Sequence, residues 1–109
     1  MATNYKVLGQ SNPAATTATS LYTVPAATQT IVSTVVVTNQ AAVAGTYRIA
    51  VRVAGAALAA NQYIAYDVSL PANASDTLTL GLTLGATDVI SVYSSTATMS
   101  FNAFGSEIS

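Results

Sequence analysis

The 109-residue chain reads as an all-β protein, an antiparallel β-sandwich or jelly roll of about eight strands. Three observations point there. Period-2 alternation runs through it, most clearly in Leu78-Thr79-Leu80-Gly81-Leu82-Thr83-Leu84, where a strand would bury four leucines on one face and a helix would scatter them. Turn-forming residues punctuate the sequence at short intervals, at Ser11-Asn12-Pro13, Pro25, Asn39-Gln40, Pro71 to Asp76, Gly85 to Asp88 and Ser94-Ser95-Thr96. Positive mean hydropathy (+0.49) and runs of β-branched residues separate the chain from low-complexity disorder.

Taken in order, Tyr5–Leu8 and Leu21–Val24 are short strands flanking the Ser/Thr/Ala-rich stretch from Ser11 to Ser20, read as a surface loop. Thr30–Thr38 places Ile31, Val32, Val35, Val36 and Val37 on both faces, as in a central strand covered on both sides or an edge covered by a neighbouring subunit. In Tyr47–Val53 the residues Tyr47, Ile49, Val51 and Val53 lie on one side, with Arg48, Ala50 and Arg52 on the other. Ala54 to Asn61 is Ala-rich and interrupted by Gly55, so an ordered connection or a single helical turn is expected, with Leu58 plugging the core. Tyr63–Leu70, Leu78–Leu84, Val89–Tyr93 and Met99–Phe104 complete the set. Pro13, Pro25 and Pro71 all fall in connections or at strand ends, where a missing N–H costs no ladder bond. Residues 1–109 are expected to form one sandwich domain with a short N-terminal arm.

Composition then narrows function. Only 6% of residues are charged, against about 25% in an average domain, and there is no Cys, His or Trp. That removes His-based triads, thiol nucleophiles, Cys/His zinc sites and the usual haem and iron–sulfur ligands, so an enzyme is not expected and no cofactor is implied. Three basic residues set against four acids leave no footprint for nucleic acid. No apolar run approaches the roughly 20 residues of a membrane span, and Met-Ala-Thr-Asn-Tyr-Lys lacks a leader's features, so the chain is read as soluble and made without one. Without disulfides, stability must come from packing or assembly.

Few side chains remain that carry chemistry. Asp67, Asp76 and Asp88 could supply calcium oxygens, but they belong to different strands and match no Asp-rich loop, so turn capping and solvation is the stronger reading and no metal is assigned. Arg48 and Arg52 project from one strand face about 13 Å apart. They suit an acidic partner or a neighbouring copy, with pairing to Asp67 on the next strand as the structural alternative. Of the eight aromatics, Tyr47, Tyr66 and Phe101 are expected in the core. Tyr63 and Phe104 have the opposite parity from their strands' apolar sets and join Tyr5, Arg48 and Arg52 as candidate interface residues. Asn73-Ala74-Ser75 matches a glycosylation acceptor but is assigned no role.

The stretch from Ser20 to Asn39, Ser-Leu-Tyr-Thr-Val-Pro-Ala-Ala-Thr-Gln-Thr-Ile-Val-Ser-Thr-Val-Val-Val-Thr-Asn, resembles a segment that recurs in small structural proteins of tailed bacteriophages, particularly those infecting cyanobacteria. Leu84 to Ser95 with Met99 to Glu107 is similar to their closing hairpin, and Tyr47–Arg52 and Tyr63–Asp67 fit the same pattern. The chain departs from it at Ala27, where the turn usually carries Gly. What the resemblance implies is a virion component, assembled in the host cytoplasm. The leading expectation is a head decoration or cement protein, a homo-oligomer (a trimer is the guess) clamping the major capsid protein or other virion proteins through the N-terminal arm and exposed strand faces. The alternative is a tail, neck, baseplate or fibre component, touching host-surface glycans through exposed Tyr and Asn groups. A soluble carbohydrate-binding sandwich unconnected to particles ranks third.

Overall fold

The computed structural model describes residues 2–109. Eight strands form: β1 (Thr3–Ser11), β2 (Thr19–Thr23), β3 (Gln29–Asn39), β4 (Gly45–Arg52), β5 (Tyr63–Leu70), β6 (Ser75–Leu84), β7 (Val89–Ser94) and β8 (Met99–Ile108). Every strand read from the alternation is present, and most extend beyond the expected limits. The Ala-rich connection after β4 holds two single 3₁₀ turns, Val53–Gly55 and Ala60–Gln62, and no α-helix.

The strands form two antiparallel four-stranded sheets, sheet A ordered β1-β8-β3-β6 and sheet B ordered β2-β7-β4-β5. Within them β1 pairs with β8, β2 with β7, β3 with β6 and β4 with β5. The chain is thus a long antiparallel hairpin wrapped into two layers, the jelly-roll arrangement. The strand expected at Tyr5–Leu8 spans residues 3–11 and is an edge strand laddered onto β8.

Between the layers lies one apolar core. Sheet A contributes Leu8, Val32, Val35, Val37, Leu84, Met99, Phe101 and Ala103, and sheet B contributes Leu21, Tyr47, Ile49, Leu70, Ile90 and Val92. The Tyr47 ring meets Phe101 edge-on at 6.1 Å, and its hydroxyl donates to Asp76 at the sandwich margin (2.9 Å), so the one polar atom of this large core residue stays satisfied. Asn39, almost fully buried, donates to the carbonyls of Val43, Leu70 and Pro71 and accepts from Ala41 N–H and the Thr98 hydroxyl, tying three connections together.

Register shifts explain where strict alternation fails. On β3, Val32 faces Gly105 and Thr34 faces Phe104, which leaves Ser33 as an extra residue, its hydroxyl donating to Phe104 O at 3.1 Å. Inward positions on β3 therefore switch from Thr30 and Val32 to Val35, Val37 and Asn39. That switch, rather than burial of both faces, puts valines on both parities. Gly105 sits where a Cβ would lie 2.0 Å from Ile31 O, so the backbone approach at this bulge requires glycine. On β6, the steps from Leu82 to Thr79 match only the two from Val32 to Thr34, and Gly81 takes up a left-handed conformation (φ +64°). Leu80, expected in the core, is turned out and 38% exposed. On β5, three steps from Ala65 to Val68 match the two from Tyr47 to Ile49, with Asp67 at φ 50°. This exposes Tyr66, which alternation assigned to the core. Val53 and Leu58 are exposed as well: Val53 lies past the end of β4, and Leu58 lies over the outside of sheet B.

Candidate functional site

The outer faces of the two sheets hold most of the exposed large side chains, and they are built differently. On sheet A two neighbouring rows cross the strands. One runs Tyr5, Ser106, Ile31 and Thr83, and the next runs Val7, Phe104, Thr34 and Thr79. Tyr5 (85% exposed), Val7, Ile31 and Phe104 form an apolar stripe, and Tyr5, Ile31 and Phe104 border a depression of about 430 Å³ lined also by Lys6, Ser33, Gly105 and Ser106. The nearby charges are already matched, since Lys6 Nζ pairs with Glu107 at 3.1 Å. Glu107 also accepts from the Tyr22 hydroxyl at 2.5 Å, and Tyr22 in turn lies 2.8 Å from the Thr30 hydroxyl. The bond from Tyr22 holds the Glu107 carboxyl below its usual range, while burial, with the carboxylate beside it, pushes Tyr22 up to about 12.

The outer face of sheet B is dressed by its own chain. Arg52 donates from Nε to the Ser91 hydroxyl (2.9 Å), from Nη1 to Gly55 O and Ala56 O (3.3 and 3.2 Å) and from Nη2 to the Ser20 hydroxyl (3.4 Å). It is a tether for the β4–β5 connection, not a free cation awaiting a partner. Asp88 anchors the same segment, accepting from Ala54 N–H as well as from Gly85 N–H in its own turn. Folding this connection back buries Ala50 and Ser91 on what would otherwise be the open side of the sheet.

Arg48 pairs with Asp67, the structural alternative to a partner contact, Nε to Oδ1 at 2.6 Å and Nη2 to Oδ2 at 3.3 Å. Its guanidinium is sandwiched 4.2 Å from the Tyr66 ring centre and 4.3 Å from that of Tyr93. The Asp67 hydrogen bond raises the Arg48 pKa further above its ordinary value. Tyr66, 57% exposed, also meets Tyr63 edge-to-face at 4.9 Å. The two tyrosines, with Leu58, Ala59 and Ala60, line an open cleft of about 570 Å³. Asp67 holds a left-handed backbone that costs most residues about 1–2 kcal/mol, less for Asp, whose short side chain tolerates it.

The five sequence-derived candidates thus divide between opposite faces: Tyr5 and Phe104 on sheet A, Arg48, Arg52 and Tyr63 on sheet B. Tyr66 and Ile31 belong with them, and alternation alone missed both because a bulge beside each reverses the parity. The acids stay apart: Asp76 serves Tyr47, Asp88 serves a turn and Asp67 serves Arg48. Among the described residues, no three acidic side chains gather to hold a metal ion and no helix is long and apolar enough to cross a membrane. Comparison with protein families, curated proteins and solved structures returned no match to the chain.

Proposed function

We propose that the chain is a structural protein of a tailed-phage particle, a head decoration or cement protein that assembles as a homo-oligomer, a trimer in the simplest case, and stabilises the capsid lattice. The observation that carries this reading is the apolar stripe Tyr5, Val7, Ile31 and Phe104 on sheet A, laid across three laddered strands and left uncovered by the described residues. An exposed apolar face whose neighbouring charges are internally paired suits burial against a copy or a lattice partner, where affinity comes from area and symmetry and not from a reactive group.

The sheet edges support the same reading. All four edge strands carry a register shift: β1 between Val7 and Gly9, β2 between Ser20 and Tyr22, β5 around Asp67 and β6 around Gly81. Bulged edges resist the open-ended strand pairing that leads to aggregation. Copies of this protein would therefore meet by faces. The sequence resemblance to small phage structural proteins adds its weight.

A tail, neck, baseplate or fibre position is the second reading, favoured by the aromatic cleft on sheet B, which suits contact beyond the particle. Quantitative mass spectrometry of purified particles separates the two. On the order of hundreds of copies per particle is expected for a head protein, and about a dozen or fewer would move the chain to the tail. Absence from the particles would overturn both.

A further inference from the structure

We infer that the outer face of sheet B carries a binding site for a neutral saccharide, formed by the cleft of Tyr63, Tyr66, Leu58, Ala59 and Ala60 and by the Arg48–Asp67 pair that adjoins it. The inference concerns the face opposite the proposed assembly surface and does not depend on where in a particle the chain sits.

Three features select this ligand class. The cleft is open and aromatic on one side, and at about 570 Å³ it takes one or two pyranose rings. The C–H face of a sugar carries slight positive charge that suits the negative face of a tyrosine ring, and Tyr66 is both the most exposed ring here and held in place by Arg48 and Tyr63. Beside it stands a planar polar pair. Asp67, nearly half exposed, keeps acceptor capacity beyond the two bonds from Arg48, and Arg48 uses only two of its five N–H groups on Asp67, the others meeting no protein acceptor among the described residues. The guanidinium covers one face of Tyr66, so a sugar ring would stack on the other face, with the adjacent Asp67 accepting from its hydroxyls.

The alternatives fit less well. Arg48 and Asp67 cancel each other's charge, so a phosphate or acidic sugar finds no net attraction. A proline-rich peptide would use the rings but has no hydroxyl donors for the Asp67 oxygens. The bulge also acquires a purpose: the extra β5 residue and the left-handed Asp67 bring Tyr66 and Asp67 together onto the outer face, where regular alternation would hide one of them.

The test is a two-dimensional amide NMR titration of the full chain with methyl glycosides of glucose, galactose, mannose and N-acetylglucosamine, with inorganic phosphate and N-acetylneuraminic acid as charged probes. At least one neutral glycoside is expected to bind in the millimolar range, with shifts confined to Leu58–Ala60 and Tyr63–Asp67. Tyr66→Ala should weaken it roughly tenfold or more, as loss of a stacking ring implies. Tyr66→Phe should retain it within about threefold, and Asp67→Asn, which tolerates the same backbone, should weaken it without lowering the melting temperature. The inference is overturned if none of the four glycosides shifts these amides, if Tyr66→Ala binds as well as the parent chain, or if only the charged probes bind there.

Discussion

The two outer faces of the sandwich answer the same problem in opposite ways. Sheet B covers most of its surface with its own chain and leaves an aromatic cleft beside β5: the β4–β5 connection folds over it, Arg52 and Asp88 tie that connection down, and Arg48 lies clamped between two tyrosines and an aspartate. Sheet A leaves Tyr5, Val7, Ile31 and Phe104 open beside a self-contained Lys6–Glu107–Tyr22 network. The core is common to both, so the contrast arises from connections and bulges and not from burial. A charge-poor chain needs few ionic contacts to fold: among the described residues Lys6–Glu107 lies on sheet A and Arg48–Asp67 on sheet B, while Arg52 and Asp88 use their charges in hydrogen bonds that dress sheet B.

The sharpest way to break the comparison is to remove the core that both faces share. Val37→Asp buries an unpaired carboxylate whose cost of several kcal/mol rivals a total stability of about 5–15, and no cooperative unfolding transition should survive in circular dichroism. Leu80→Asp, at a position that simple alternation would also place in the core, should change stability by no more than about 0.5 kcal/mol. The pair tests the β6 bulge directly, because a regular strand would make both variants unfold.

Arg52→Ala addresses sheet B alone. Losing the tether to Ser91, Gly55, Ala56 and Ser20 should cost about 1–2 kcal/mol, a fall of roughly 5–10 °C in melting temperature. Hydrogen exchange should quicken at Ala54–Ala60 while sheet A amides keep their protection.

The polar network at the end of sheet A predicts a pH response. Glu107 has a folded-state pKa below its ordinary value of 4.5, so its contribution is complete above that value and is lost as pH falls through the lowered one. Tyr22 runs the other way, with its contribution complete below pH 10 and lost as pH rises towards about 12. Glu107→Gln should flatten the acid limb of a melting-temperature profile, and an unchanged acid limb would show that the bond from Tyr22 contributes nothing. The smallest effect is expected at Ala27, whose φ of 55° lies in the left-handed region that favours glycine. Ala27→Gly should gain about 0.5 kcal/mol, the relief of strain offset in part by a more flexible unfolded chain, and should leave both faces unaltered in thermal unfolding and association assays.

Most of the fold was legible because half-buried strands impose a two-residue period on side-chain polarity. Tyr47, Ile49 and Phe101 fell where alternation put them. Tyr66 did not, because the extra residue on β5 inverts the positions to either side of it, and Leu80 did not, because it lies inside the β6 bulge between Leu78 and Leu82, which both still pack on the core; the sequence marks such points faintly. Gly81 was the one local sign on β6, and Asp67 differs from an ordinary strand residue only in tolerating a left-handed backbone. Of the candidate surfaces, Tyr5, Tyr63 and Phe104 were readable from parity or position. The engagement of Arg52 was not, since it depends on where the Ala-rich connection folds, and weak local propensities do not specify that path.

The central claim, that sheet A's open face is the surface through which copies associate, is tested most directly by sedimentation velocity of the parent chain and of Tyr5→Lys/Ile31→Lys across a wide concentration range. Both positions are exposed, so the double variant should fold with an unchanged melting profile. The parent should show reversible oligomers that grow with concentration, and the variant should stay monomeric. A parent chain that is monomeric throughout, or a variant that associates equally well, would contradict the account.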